Sequence, residues 1–254
     1  MTAEPRLAAI VRHPIKSIGH EEIIGASLTK GRALPFDREW AVAHEAAKFA
    51  PGLTEWAAKM NFLRGVAGAE LMAISAVSDE AARRVTLRHP RAGEIVLAPD
   101  GATDQQRLIN WLRPLWPASR PAPAFVVQVP GQAMTDWPNP FLSVLGLASN
   151  AELGRRMGKT LSIHRWRGNL WLDGLEPFAE FGLIGRRLRI GNAVLKVEQK
   201  ITRCRATCVD PVTGQEDGDT LAALNANWGH QDFGVYATVE EPGRIARGDK
   251  LEIL

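Results

Sequence analysis

Short apolar runs, cut off again and again by glycine, proline and small polar residues, constrain this fold more than any other feature. Residues 7–11, 22–24, 26–28 and 40–43 each read as a brief strand. Residues 71–77, 84–87 and 94–97 follow as successive strands of a meander, with polar and Gly/Pro turns between them. The same texture returns at 161–164, 169–172, 187–190, 193–197, 233–239 and 250–254. Many short strands at close spacing predict a barrel or sandwich.

Two helices interrupt the pattern. Asp104 can cap one running from Gln105 to Trp111, with Leu108, Trp111 and Leu112 as its apolar stripe. Ser149 or Asn150 can cap another over 151–157. Between them lies a proline-rich stretch with Pro114, Pro117, Pro121 and Pro123, which is the expected seam between two subdomains, 1–115 and 116–254. The chain has 254 residues, enough to bury a substantial core.

Charge and composition narrow the partners. A formal net charge of +3 is too small a surplus to make nucleic acid the expected partner. The local cluster Arg186-Arg187-Leu188-Arg189 is read as a solvated strand edge. No stretch approaches the roughly 18 apolar residues of a membrane span. The opening Met1-Thr2-Ala3-Glu4-Pro5-Arg6 is not the apolar core of a signal peptide, so the cytoplasm is the expected compartment. The eight tryptophans lack interleaved basic residues and read as core or pocket formers. The histidines His13, His20, His44, His89, His164 and His230 show no paired metal-ligand spacing.

The segment richest in chemistry is Thr202-Arg203-Cys204-Arg205-Ala206-Thr207-Cys208-Val209-Asp210-Pro211-Val212-Thr213-Gly214. A cysteine between two arginines favours the thiolate, the form that ligates metals. Three readings of Cys204 stand side by side: a metal-ligating thiolate, a small buried hydrophobe, and one half of a redox pair with Cys208 that lacks Cys-x-x-Cys spacing. Asp210 to Gly214 is a reverse turn. With two cysteines, neither a disulfide framework nor a Cys₄ metal site is available.

Taken in order, several elements resemble one family. Thr202-Arg203-Cys204 followed by Val209-Asp210-Pro211-x-Thr213-Gly214 is similar to the cysteine motif of the MOSC family (molybdenum cofactor sulfurase C-terminal domain). Upstream stand Arg167-Gly168-Asn169-Leu170-Trp171-Leu172-Asp173-Gly174 and residues 188–197; downstream stand Phe233-Gly234-Val235-Tyr236-Ala237 and residues 241–249. Val11-Arg12-His13-Pro14-Ile15-Lys16-Ser17 and Phe36-Asp37-Arg38-Glu39-Trp40 resemble the family's N-terminal β-barrel extension. The departures are Gly168 in place of proline, Asn139 in Asn-Pro-Phe where serine is frequent, Cys208 for threonine, and Ile18 for cysteine.

The resemblance implies a β-rich α+β fold, a MOSC β-barrel beside an N-terminal β-barrel-like subdomain, with a molybdenum–molybdopterin cofactor between them. It implies that Cys204 ligates the metal and is the catalytic centre. It assigns Lys16, Ser17, Arg38, Arg167, Asn169 and Arg203 to the pterin and its phosphate, a role that suits guanidinium forks and neutral donors. The two-part arrangement is similar to the amidoxime-reducing component and to bacterial reductases of N-hydroxylated bases. The implied activity is reduction of a small N-hydroxylated substrate by oxygen-atom transfer. Electrons would come from a separate donor protein, since the chain stops after its last MOSC-like strand without a cluster domain. The second reading is a cofactor carrier or sulfur-transfer protein holding a persulfide on Cys204, and the third is an inactive binding module.

Overall fold

The computed structural model describes residues 4–254; Met1, Thr2 and Ala3, which open the N-terminal hexapeptide, lie outside the described residues. The chain is β-rich with three α-helices among the described residues. Its strands are β1 (Arg6–Arg12), β2 (Glu21–Ile23), β3 (Gly25–Leu28), β4 (Ala41–His44), β5 (Ser75–Asp79), β6 (Arg84–His89) and β7 (Gly93–Leu97) in the first part. Then come β8 (Pro123–Val127), β9 (Leu142–Gly146), β10 (Leu170–Asp173), β11 (Arg187–Ile190), β12 (Ala193–Thr202), β13 (Asp232–Glu241), β14 (Gly243–Ala246) and β15 (Leu251–Ile253). The helices are α1 (Ala102–Leu112), α2 (Leu147–Met157) and α3 (Thr220–Trp228).

One eight-stranded sheet dominates, in the order β15-β11-β12-β13-β9-β10-β1-β2. It curls until the β15 segment meets the start of β1: Lys250 bridges Arg6, Leu7 N–H donates to the Asp249 carbonyl, and Leu251 N–H donates to the Pro5 carbonyl. All of its pairings are antiparallel except β9 with β10, which are parallel and joined through α2, as a crossover connection demands. The middle strands are apolar on both faces because both faces are covered. Leu142 and Val144 of β9, with Leu7 and Ile10 of β1, point into the main core. Leu145 and Val11 point the other way, against a cluster holding Leu153 of α2, Leu224 of α3, Trp166, Trp171 and Phe233.

A second core belongs to the first half of the chain. Ile15, Ile18, Trp40, Leu63, Leu71, Val85, Leu87, Leu108 and Leu112 gather among the β5-β6-β7 meander, α1 and the β4–β8 pair. Sequence order and spatial order interleave here. β1 and β3 hydrogen-bond to β10 and β14 of the C-terminal half, and β8, beyond the proline-rich stretch, pairs back onto β4.

Several local expectations need correction. The 71–77 run is not one strand: Ala69–Ala73 is a 3-10 turn, and the strand begins at Ser75. Residues 161–164 are not a strand either; Ser162 caps a 3-10 turn, Ile163–Trp166, by accepting from His164 N–H. Helix α1 starts at Ala102 behind Gly101, and Asp104, already inside the helix, accepts instead from Ala98 N–H. Helix α2 starts at Leu147 behind Gly146. Neither Ser149 nor Asn150 caps it: the Ser149 hydroxyl donates to buried Glu180 at 2.8 Å, and the Asn150 amide donates to the Leu161 carbonyl. Burial pushes the Glu180 carboxyl up, with Ser149 opposing. β11 is an interior strand rather than an edge; its arginines face outward, Arg187 to Glu240 and Glu241, and Arg189 to Glu252.

Candidate functional site

Two backbone segments run side by side and begin the site. Lys16 N–H donates to the Trp40 carbonyl, Arg38 N–H to the His13 carbonyl, and Ile15 bridges Trp40. A tight turn closed by Ile18 N–H to the Ile15 carbonyl lifts Lys16 and Ser17 beside Arg38. From the other half, β12 ends at Thr202, and Arg203 and Cys204 break away before a 3-10 turn, Arg205–Cys208. The 3-10 turn Ile163–Trp166 delivers Arg167, and Asn169 leads into β10.

All seven residues singled out from sequence line one cavity of about 300 Å³: Lys16, Ser17, Arg38, Arg167, Asn169, Arg203 and Cys204. Three of them, Ser17 (φ 63°), Arg38 (φ 50°) and Arg167 (φ 49°), have left-handed backbones, among six such non-glycine residues in the described chain. Each costs on the order of 1–3 kcal/mol and persists only where its surroundings over-determine it, as at functional sites.

The cations are held in distinct ways. Arg38 pairs with buried Asp37 and donates to the Arg167 carbonyl at 2.7 Å. Asp37 in turn accepts from His13 N–H at 2.7 Å and faces the His13 ring at 3.3 Å. Burial, then the charges of Arg38 and Arg167, hold the His13 imidazole well below its usual range, so it sits neutral. Arg203 donates Nε to the Phe233 carbonyl and Nη1 to the Trp166 carbonyl, both at 2.8 Å, and lies over the Trp166 ring. Among the described residues its Nη2 is buried without a partner, and Arg167 donates only to the Gly19 carbonyl. Burial lowers the Arg167 guanidinium to about 9 and that of Arg203 to about 10. These are signs of cations enclosed with too little anion.

Asn169, which lines the cavity, also ties strands together. Its Oδ1 accepts from the Ser143 amide and hydroxyl, and its Nδ2 donates to the Val11 carbonyl. It clasps β9 to β1 and leaves one N–H to spare. Cys204 is exposed and unpaired. Arg205, the second flanking arginine, turns outward to Glu216 and Asp219, so Arg203 alone of the two lines the cavity with the thiol. Cys208 is buried behind, its Sγ 3.6 Å from the Thr220 hydroxyl, and does not line the cavity. Asp210 builds the expected turn, with Gly214 N–H donating to its carbonyl. His230 packs edge-on against Phe181 and accepts from Asp232 N–H, outside the cavity lining.

Sequence reasoning missed Lys59, Arg64, Asp136, Trp137 and Arg165, all of which line the cavity. It places Tyr236 in a strand and in a family-like element without a site role; the ring stacks on Phe141 at 4.8 Å and forms an aromatic wall. Lys16 is almost fully buried, with its ammonium 2.6 Å from Asp136. Burial pushes that ammonium down to about 8, against the pull of Asp136. A lysine that loses its proton near that pH stops attracting anions above it. Sulfate, a dianion throughout this range, should therefore bind more weakly at pH 9 than at pH 7, and Lys16→Met should flatten the difference in calorimetric titrations. A pH-independent affinity in the unsubstituted protein would show that Lys16 does not bind the anion.

The family model described as "MOSC domain" matches residues 140–252. That stretch of the chain is a MOSC domain. The chain's relatives include the molybdenum cofactor sulfurase of Caenorhabditis briggsae, 35% identical over 128 residues, which are 47% of this chain and 18% of that protein. The mitochondrial amidoxime-reducing component 1 of Homo sapiens is 33% identical over 128 residues, 46% of this chain and 37% of that one. The mouse counterpart is 30% identical over 160 residues, 58% and 46% respectively. The chain thus spans less than half the length of these relatives. Among solved structures, the YuaD protein from Bacillus subtilis aligns over 98% of this chain and 94% of its own, with TM-score 0.47 and 13% identity. The MOSC match contains Arg167, Asn169, Arg203 and Cys204, while Lys16, Ser17 and Arg38 reach the same cavity from outside it.

Proposed function

We propose that this MOSC-domain protein binds a molybdenum–molybdopterin cofactor in the cavity, with the Cys204 thiolate as a metal ligand, and that the loaded protein is an oxidoreductase. One observation carries the reading. Seven residues expected to hold such a group, drawn from separate segments of the chain, converge on a single cavity. The donor set suits the group. A soft sulfur ligand, that of Cys204, lines a space rich in guanidinium and ammonium groups, and the buried Nη2 of Arg203 has no partner among the described residues. The names of the amidoxime-reducing relatives support reduction of an N-hydroxylated compound.

When bound, the cofactor supplies the two-electron redox centre. The chain's own contribution is binding and orientation. Carbonyls of Phe233 and Trp166 aim Arg203, Asp37 and the Arg167 carbonyl aim Arg38, and Phe141 with Tyr236 offers a flat apolar wall to a substrate. Electrons come from a separate donor protein in this reading. No helix among the described residues is long and apolar enough to cross a membrane.

The exposure of Cys204 favours one further reading, a cofactor carrier or sulfur-transfer protein with a persulfide on that thiol. Metal and pterin analysis of protein made in a molybdenum-sufficient host separates the two. Near-stoichiometric molybdenum that falls by more than tenfold in Cys204→Ala is the expected result. Persulfide on Cys204 with no retained molybdenum would overturn it in favour of sulfur transfer.

A further inference from the structure

We propose that Asp136 is a place-holding anion: its carboxylate sits between Lys16 and Lys59, in the position for which an incoming phosphate group competes, and it thereby sets how tightly the cavity binds anions. The inference rests on the reading of the cavity as a site for a phosphate-bearing cofactor.

The cavity lining carries seven cationic side chains and one carboxylate, that of Asp136. Two of the other cations have their own anions elsewhere: Arg38 has Asp37, and Arg165 has Asp217. Asp136 is shared between two cations of the cavity lining, with Oδ1 2.6 Å from Lys16 Nζ and Oδ2 3.3 Å from Lys59 Nζ. A nearly buried ammonium without a partner is costly, and Asp136 is the carboxylate paired with Lys16. The two lysines come from different segments, so their convergence on one carboxylate is a property of the folded site.

The loop bearing Asp136, between β8 and β9, is tied to the site by its neighbours: Met134 N–H donates to the Arg38 carbonyl, and Trp56 Nε1 donates to the Thr135 carbonyl. The side chain of Asp136 is 45% exposed and bonds only to the two lysines among the described residues, so it can rotate away while the loop stays anchored. A phosphate dianion and a carboxylate cannot share the same two ammonium groups, because like charges at that distance repel strongly. The exchange moves no net protons: one anion replaces another on cations that stay charged.

The test uses the full chain purified from a host that makes no pterin cofactor, with sulfate as probe at pH 6, where Lys16 is protonated. Calorimetric titration should show Asp136→Asn and Asp136→Ser binding sulfate about tenfold more tightly than the unsubstituted protein, a factor equivalent to roughly 1.4 kcal/mol. Lys16→Met should abolish the gain. Thermal melts identify any variant that has unfolded, and the two substitutions must agree in sign. Equal or weaker binding in folded Asp136 variants, or no sulfate binding by any of the proteins, overturns the proposal. The metal analysis above is read separately. Molybdenum retained with no gain at Asp136 sinks the place-holder alone, and a tenfold gain without molybdenum sinks the cofactor reading alone.

Discussion

Gly234→Ala is expected to lower stability by roughly 2–5 kcal/mol, whereas Gly229→Ala, at nearly the same backbone angle, should lower it by only about 1–2 kcal/mol. Both glycines are left-handed, φ 77° and 72°. They differ in what a Cβ would meet: nothing within 4 Å at Gly229, but Leu145 Cγ at 2.7 Å and the Val144 carbonyl at 2.9 Å at Gly234. The crowding has a purpose. Lys200 pairs with Val235 and Thr202 with Asp232, so Phe233 and Gly234 together oppose Ile201 as a bulge. That bulge presents the Phe233 carbonyl to Arg203 Nε, and a Cβ on Gly234 would lie 3.4 Å from Arg203 Nη2. Urea unfolding of the pair measures the difference directly. Equal losses would mean that Leu145 and the β9 backbone yield freely and that the bulge is not tightly seated. Weaker sulfate binding by Gly234→Ala would carry the same strain into the site.

Asp37→Asn is expected to cost about 3–5 kcal/mol, the usual penalty for leaving one member of a buried ion pair uncompensated. Asparagine keeps the shape and can still accept from His13 N–H, so the loss isolates charge. Adding Arg38→Met should recover much of it, since the stranded guanidinium is then gone. A double variant no more stable than Asp37→Asn alone would show that Asp37 acts through His13 instead. Burial by itself would push the Asp37 carboxyl up, but Arg38 and the His13 contacts hold it well below the usual carboxylate range. A depressed folded value stabilises above the unfolded value near 4 and is lost as pH falls below it. The acid limb of the stability curve should therefore be shallower in Asp37→Asn.

The strands were legible because each buries one or both faces in a period of two, and residues 84–87, 94–97 and 187–190 fall within β6, β7 and β11. Residues 161–164 alternate in the same way, yet Ser162 finds a local acceptor role and the chain turns, so periodicity misled. The start of α2 was hidden because buried Glu180, from distant sequence, gathers the Ser149 hydroxyl there. The β9, β8 and β14 strands and α3 went unread. In the cavity, Lys16, Arg38, Arg203 and Cys204 lie in ordered motifs. Lys59, in the 3-10 turn Lys59–Asn61, and Asp136, in a loop, lie in segments whose local pattern carries no trace of their pairing.

The meeting of β1 with the segment leading into β15 imposes an order of events on synthesis. Lys250 must reach Arg6 across almost the whole chain, and contacts of such separation form late. Until residue 251 has left the ribosome, Leu7 N–H and the Pro5 carbonyl lack the partners they have in the finished protein. β1 leads directly into the turn that bears Lys16 and Ser17. A ligand that needs those residues held firm must therefore enter only after residues 249–251 have joined β1.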